Sequence, residues 1–283
     1  MIVTRFAPSP TGLLHLGHAF AAITAHDTAR RMGGRFLVRI EDIDITRAKP
    51  EFETAIFEDL AWLGLNWERP VLRQSGRFDA YRAALGTLET QELLYPCFCT
   101  RKEIADEIAR AGEAPHGPKG LLYPGTCRAL AKEVRRAKIE SGAAYALRLD
   151  VAKAAAQVGA LTFEEQGSGP GGEHGTVSVA PAIFGDIVLA RKEAPASYHL
   201  AVVVDDAFQG VTLVTRGNDL FTATHVHRLL QALLDLPQPG YAHHRLVLDE
   251  AGRKFSKRDG AVTLRALRES GATPQGIRAR LGL

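Results

Sequence analysis

Two histidines, His15 and His18, stand three residues apart with Gly17 between them. They follow Pro8-Ser9-Pro10-Thr11-Gly12 and lead into a helix-like segment from Ala19 to Met32. A short apolar run, Ile2 to Phe6, precedes both. Strand, Pro/Gly turn and helix start make a mononucleotide-binding shape. A helix N-terminus offers unpaired N–H groups and partial positive charge, where a phosphate can sit. On a first helical turn both imidazoles can face that phosphate, and Gly17 lets a nucleotide lie close to the backbone. The P-loop lysine and the dinucleotide glycine spacing are missing. A second cationic set, Lys254-Phe255-Ser256-Lys257-Arg258, comes near the far end of the chain.

Other residues point to a substrate and a metal. Arg5 stands in the first apolar run, and Arg216 follows the β-branched run Val211 to Thr215. If the two meet in a crevice between halves of the fold, their guanidiniums suit an acidic side chain. Glu41, just past the run Phe36 to Ile40, could receive the substrate's ammonium, and Tyr198 could add a hydroxyl. Such a site should reject neutral analogues by roughly 10⁴-fold or more. Cys97, Cys99 and Cys127 fall in one short window, which in a reducing compartment argues for metal over a disulfide. Three thiolates leave tetrahedral zinc one ligand short, and general chemistry offers His116 as the fourth.

The elements that must position these residues follow from periodicity and punctuation. Phe36 to Ile40 reads as a strand after the Gly33-Gly34 helix stop, and Pro50 to Gly64 as a helix with Pro in its first turn. Arg77 to Gln91 and Arg101 to Arg110 read as helices, Ala114 to Gly125 as a Pro/Gly-rich loop, and Arg128 to Ser141 as a basic helix. Ser197 to Asp206 is apolar throughout its centre, so strand and helix both stay open. Val211 to Thr215 is a strand, Phe221 to Leu236 a helix, and His244 to Leu248 a strand leading to the lysine motif. Two short helices close the chain. The expected organisation is a first catalytic half over 1–92, an insertion over 93–180, a second half over 181–260 and a helical tail over 261–283.

Composition sets the outer limits. With 46% hydrophobic and 24% charged residues, the chain has the make-up of an ordinary soluble protein. No apolar run approaches the ~20 residues of a membrane span, and no signal-peptide pattern opens the chain. Cytoplasmic placement and no membrane partner are expected. A net charge of +3 does not announce nucleic acid, although basic residues cluster at Arg128 to Lys138 and Arg265 to Arg280.

The His15-Leu16-Gly17-His18 and Lys254-Phe255-Ser256-Lys257 pair resembles the paired signatures of class I aminoacyl-tRNA synthetases. Arg5-Phe6-Ala7-Pro8-Ser9-Pro10-Thr11-Gly12, Arg39-Ile40-Glu41-Asp42 and the segment from Tyr198 to Arg216 narrow the resemblance to glutamyl-tRNA synthetases, in order over nearly the entire chain. It implies an α/β, Rossmann-like class I catalytic domain with a zinc-binding insertion and a short C-terminal helical part. It implies an ATP-dependent ligase that uses Mg(II) with ATP. Arg5, Phe6, Ala7, Pro8, Ser9, Glu41, Tyr198 and Arg216 would bind L-glutamate. His15, Gly17, His18 and Lys257 would bind ATP, with His15, His18, Lys254 and Lys257 acting on the phosphates.

Departures from that family matter. Its members continue past the lysine motif into an anticodon-binding domain, and this chain is expected to lack one. An Asn common four positions after the pocket Tyr is Val202 here, and a Trp common four after the pocket Arg is Leu220. These features are similar to the shortened glutamyl-Q tRNA(Asp) synthetase family, which attaches glutamate to queuosine at the wobble position of tRNA(Asp). A globule with a radius of gyration of about 19 Å cannot hold the acceptor end of a tRNA and read its anticodon at once. The resemblance therefore implies tRNA-independent activation of glutamate and an anticodon loop presented to the active site, with the base extruded. Alternatives are a truncated enzyme charging tRNA(Glu) and a non-catalytic tRNA- or nucleotide-binding paralogue. The same resemblance points to Tyr123 as the fourth zinc ligand with Cys97, Cys99 and Cys127, one zinc per chain, with His116 in reserve. A monomer is expected.

Overall fold

The structure, a computed structural model, describes residues 1–104, 116–117, 120–191, 195–248 and 262–283, without the side chains of 116, 117, 120 and 121. It is an α/β fold in which a parallel sheet and a mixed sheet meet edge to edge. Strand β1 (Val3–Phe6) is buried at every position, as expected of a strand covered on both faces. Helix α1 (Leu16–Arg31) follows and returns the chain to β2 (Arg35–Ile40), which pairs in parallel with β1. The return is tight. Gly33 takes φ +60°, and a Cβ on Gly34 would sit 2.2 Å from the Ile2 carbonyl oxygen. Helix α2 (Pro50–Trp62) leads to the short β3 (Leu72–Arg73), on the far side of β2.

Helix α3 (Phe78–Thr90) opens the middle of the chain. Its strands β4 (Leu94–Cys97) and β7 (Ala146–Leu149) form an antiparallel sheet with β10 (Val188–Arg191). Between β4 and β7 lie the two-residue strands β5 (His116–Gly117) and β6 (Gly120–Leu121) and helix α4 (Lys132–Glu140). The stretch expected to be a plain Pro/Gly loop thus carries a small β pair. After helix α5 (Val151–Val158), β8 (Thr162–Glu165) and β9 (Gly175–Ser178) form a hairpin.

The second half supplies helix α6 (Tyr198–Phe208), β11 (Leu213–Gly217), helix α7 (Ala223–Leu233) and β12 (Gly240–His244). Strands β11 and β12 pair in parallel, β12 meets β8, and the sheet order is β11-β12-β8-β9. The strands therefore cross the expected boundary at 180 both ways: β8 and β9 join the second-half sheet, and β10 joins the middle one. The apolar run that left strand and helix open is helix α6, started by a Ser197 side chain that accepts the Leu200 N–H. The strand expected at His244 to Leu248 ends at His244 instead, so Leu246 and Val247 are free to line a cavity.

The two sheets join where β1 lies beside β11. The Thr212 N–H donates to the Val3 carbonyl at 3.0 Å, and the Val3 N–H to the Thr212 hydroxyl at 2.9 Å. From β1 the chain runs outward to β2 and β3 on one side; β11 and β12 lie on the other. That reversal opens a crevice at the carboxyl ends of the strands, where ligands of such sheets bind. Helices α8 (Leu264–Glu269) and α9 (Pro274–Leu281) close the chain and bury Leu264, Ile277 and Leu281 in one core with Leu14, Leu16 and Ile23. Among the described residues no helix is long and apolar enough to cross a membrane.

Candidate active site

Arg5 and Phe6 end β1, and Arg216 and Gly217 end β11, so each pair reaches the crevice from its own sheet. Glu41 follows β2, and its N–H donates to the Pro8 carbonyl at 3.0 Å, which draws the turn after β1 against the end of β2. Tyr198 opens α6 and His15 caps α1. The structure brings Arg5 to Ser9, Glu41, Tyr198 and Arg216 into one cavity of about 440 Å³ with His15, Gly17 and His18. Leu220 lines it too, whereas Val202 is buried in the core packed around α6.

The histidines begin the helix themselves: α1 starts at Leu16, three residues before the expected Ala19. His15 Nδ1 accepts the Gly17 N–H at 3.1 Å, and His18 Nδ1 accepts the His15 N–H at 3.2 Å, a reciprocal capping box. Capping and phosphate handling are therefore compatible. With Nδ1 accepting, each neutral ring carries its proton on Nε2, where it can donate to a phosphate oxygen.

Lys254 and Lys257 lie outside the described residues, as do Phe255, Ser256 and Arg258. Past them, Thr263 bridges to His15 and the Leu264 N–H donates to the Leu14 carbonyl at 2.8 Å. Thr263 and Leu264 are thus held beside the histidine motif.

Charge in the crevice is unevenly balanced. Arg5 Nε donates to Asp206 at 3.0 Å, and Arg39 binds the same carboxylate oxygen at 2.6 Å. Burial works against ionising Asp206, but Arg5 and Arg39 together hold its carboxyl below the usual carboxylate range. Arg39 also reaches Glu41 at 3.2 Å. For Glu41 burial wins: the carboxyl is pushed up, and Arg39 and Arg5 offset only part of that.

Arg216 differs. It is 5% exposed, and among the described residues it forms no salt bridge. Its Nε donates to His243 Nε2 at 3.1 Å, one terminal nitrogen to His227 Nδ1 at 3.0 Å and the other to the Thr224 hydroxyl at 2.6 Å. All three acceptors are neutral. A buried guanidinium held only by neutral groups keeps its charge for whatever enters the cavity. Arg5 and Arg216 are thus not equivalent grips, since Arg5 already has a counter-ion.

Sequence reasoning quoted Arg39 and Asp206 without a role and passed over Thr224, His227 and His243. Asp219, His244 and Arg245 also line the cavity and drew no attention.

The cysteines assemble as expected. The three sulfurs of Cys97, Cys99 and Cys127 lie within 4.8 Å of one another, a set that could hold a metal ion. Tyr123 joins them: its hydroxyl is 3.7 Å from Cys99 Sγ and accepts the Cys127 N–H at 2.8 Å. Burial pushes the Cys99 thiol up to about 12, with the neighbouring Cys127 adding to it, whereas at Cys127 burial is outweighed by hydrogen bonds from Tyr123 and the Phe98 N–H, which hold that thiol below its ordinary value. The side chain of His116 falls outside the described residues.

Comparison with known proteins follows the same lines. The profile of the family described as tRNA synthetases class I (E and Q), catalytic domain, matches residues 1–283. A glutamyl-Q tRNA(Asp) synthetase of Rhodobacter capsulatus is 51% identical, over 100% of both chains. A glutamate–tRNA ligase of Aquifex aeolicus is 40% identical over 98% of this chain and 55% of its own. A crystal structure of a glutamate-tRNA synthetase from Elizabethkingia anophelis superposes with a TM-score of 0.75 at 29% identity, covering 92% of this chain and 53% of that one. The chain thus spans about half the length of these two full synthetases.

Proposed function

We propose that this chain, which belongs to the class I (E and Q) tRNA synthetase family and is a ligase, activates L-glutamate with ATP and transfers it to queuosine in the anticodon loop of tRNA(Asp). The observation that carries the amino-acid side of this reading is the unneutralised Arg216 in one cavity with Glu41 and the two histidines. The side-chain carboxylate of glutamate pairs with Arg216, with Arg5 beside it, and the ammonium with Glu41. Tyr198 and the turn Ala7 to Ser9 complete the pocket. The α-carboxylate attacks the α-phosphorus of ATP, and pyrophosphate leaves with the electron pair of the broken P–O bond. His15 and His18 donate from Nε2 to phosphate oxygens, Lys254 and Lys257 close over the leaving group, and Mg(II) brought in with ATP would offset phosphate charge. A queuosine hydroxyl then attacks the glutamyl carbonyl, releasing AMP and completing the ester.

What favours queuosine over a terminal adenosine is the full-length 51% identity with the Rhodobacter protein. We further assign Cys97, Cys99, Cys127 and Tyr123 as ligands of one zinc, whose work is to fold the segment around β4 and α4. The donor set fits: three clustered sulfurs and a phenolic oxygen suit a closed tetrahedral site. The protein acts as a monomer in the cytoplasm.

The test is transfer of labelled glutamate to tRNA(Asp) with and without queuosine, beside tRNA(Glu), together with pyrophosphate exchange without tRNA. Label is expected only on queuosine-bearing tRNA(Asp), with exchange that needs no tRNA. Label on the terminal adenosine of tRNA(Glu) would establish the charging reaction instead.

A further inference from the structure

Behind Arg216, on the side away from the cavity, lie buried polar groups that the activation chemistry does not touch. Glu165 ends β8 and His243 lies in β12, and neither side chain has exposed surface. Glu165 Oε1 accepts the N–H of Gly167 and the N–H of His243, both at 2.8 Å. Its Oε2 lies 2.5 Å from His243 Nδ1. Arg216 can only donate, so His243 Nε2 must accept from it, and the imidazole proton must sit on Nδ1, directed at Glu165. The same logic runs through α7. His227 Nδ1 accepts from Arg216, which puts the His227 proton on Nε2, 3.1 Å from His199 Nδ1. Two imidazoles are thereby presented to one guanidinium as neutral acceptors.

We infer that Glu165 and His243, supported by His227, are positioning residues that fix Arg216 for an acidic ligand and so set selectivity for a carboxylate over its amide. This rests on the reading of Arg216 as the carboxylate receptor. Glu165 achieves it at one remove. An anion there orients the His243 tautomer, yet lies behind the ring and is held by two backbone N–H groups, so it does not itself neutralise Arg216. A carboxylate placed directly on Arg216 would compete with the substrate. Neutral acceptors hold the guanidinium without that competition.

Glu165→Gln separates this arrangement from simple packing. Its amide oxygen would keep the two backbone N–H bonds, which places the NH₂ against His243 Nδ1. The ring must then accept there and carry its proton on Nε2, facing the Arg216 Nε–H donor to donor. In pyrophosphate exchange, glutamate KM should rise roughly 10- to 100-fold, the loss expected for one misplaced charge-assisted contact, while ATP KM stays unchanged. Glutamine discrimination should fall with it. His243→Gln should retain near-normal glutamate KM, since its amide oxygen can accept from Arg216 and its NH₂ can donate to Glu165; His243→Leu should not. If Glu165→Gln fails to fold, the His243 pair reads the same ratio. Folded Glu165→Gln or His243→Leu with wild-type glutamate KM, or equal rises in both KM values, would overturn the inference. A wild-type protein without glutamate-dependent exchange would instead overturn the functional reading beneath it.

Discussion

Replacing Glu41 by Gln tests the ammonium end of the pocket with little change in shape. The wild-type side chain is 9% exposed and has one close cationic partner, Arg39 at 3.2 Å, which also serves Asp206. Burial has raised the Glu41 carboxyl above the ordinary range despite that partner. A bound ammonium would therefore meet a carboxylate with spare capacity in a water-poor site. A charge-assisted hydrogen bond there contributes about 1.5–3 kcal/mol, so glutamate KM should rise about 10- to 150-fold in the variant. The sign with pH follows from the raised value. As pH falls through it, wild-type Glu41 takes up a proton and loses its hold on the ammonium, so glutamate KM climbs with acidity, beginning above the usual carboxylate range. In Glu41→Gln that rise should be absent. The assay is pyrophosphate exchange at saturating ATP, with glutamate varied across the acid-to-neutral range. A variant with unchanged glutamate KM, or a wild-type KM that stays flat as pH falls, would refute the placement of the ammonium on Glu41.

Three further expectations concern other parts of the molecule. Lys257→Ala should depress pyrophosphate exchange while glutamate affinity measured by calorimetry survives; full exchange would remove Lys257 from the phosphate role. Metal analysis should find one zinc per chain, and Cys99→Ser should lower that content and loosen the segment around β4; a folded wild type free of metal and indifferent to chelator would end the assignment. Asp59, on α2, is fully buried with neither carboxylate oxygen hydrogen-bonded, and burial raises it from 3.8 to about 6, with Arg268 and Arg265 pulling the other way. Between those values the folded state holds more protons than the unfolded one, so stability falls as pH rises through that window, by up to about 3 kcal/mol. Urea titrations of Asp59→Asn should lose that slope; an unchanged slope would show another group responsible.

How much of this was legible in the sequence depended on how local the signal was. The turn Pro8 to Gly12, the histidine pair and Glu41 lie in short segments whose order already places them at strand ends. Cys97, Cys99 and Cys127 were legible as a set from their closeness in sequence, whereas Tyr123 came only from the family resemblance. The second half was harder. The run from Tyr198 was equally apolar as helix or strand, although Ser197 carried a capping signal. Strand β12 reads Gly-Tyr-Ala-His-His, poor in branched residues: of its two buried positions, Tyr241 packs in an apolar core and His243 makes polar contacts. Leu246-Val247-Leu248 had the strand-like composition instead. The Glu165–His243 contact spans 78 residues of chain and depends on β8 leaving the middle segment to meet β12, which no periodicity reports.

The charges at the Arg5–Arg216 end of the cavity lead to a last expectation, about substrate choice. Arg5 and Arg39 are paired directly with Asp206 and Glu41, whereas Arg216 has no carboxylate in direct contact among the described residues. Asp205, close by, is matched separately by Arg77 at 3.1 Å. L-Glutamate at neutral pH carries one net negative charge, and its side-chain carboxylate would give Arg216 the direct counter-ion it lacks. L-Glutamine carries none. It would leave Arg216 buried and uncompensated and would turn an amide NH₂ toward a group that can only donate. Shape barely distinguishes the two amino acids, so discrimination must come from this electrostatic mismatch. Glutamine should therefore support pyrophosphate exchange with a kcat/KM lower by roughly 10⁴-fold. Should glutamine come within about tenfold of glutamate, a gap of only ~1.4 kcal/mol, the charge on Arg216 must be neutralised by something other than the substrate.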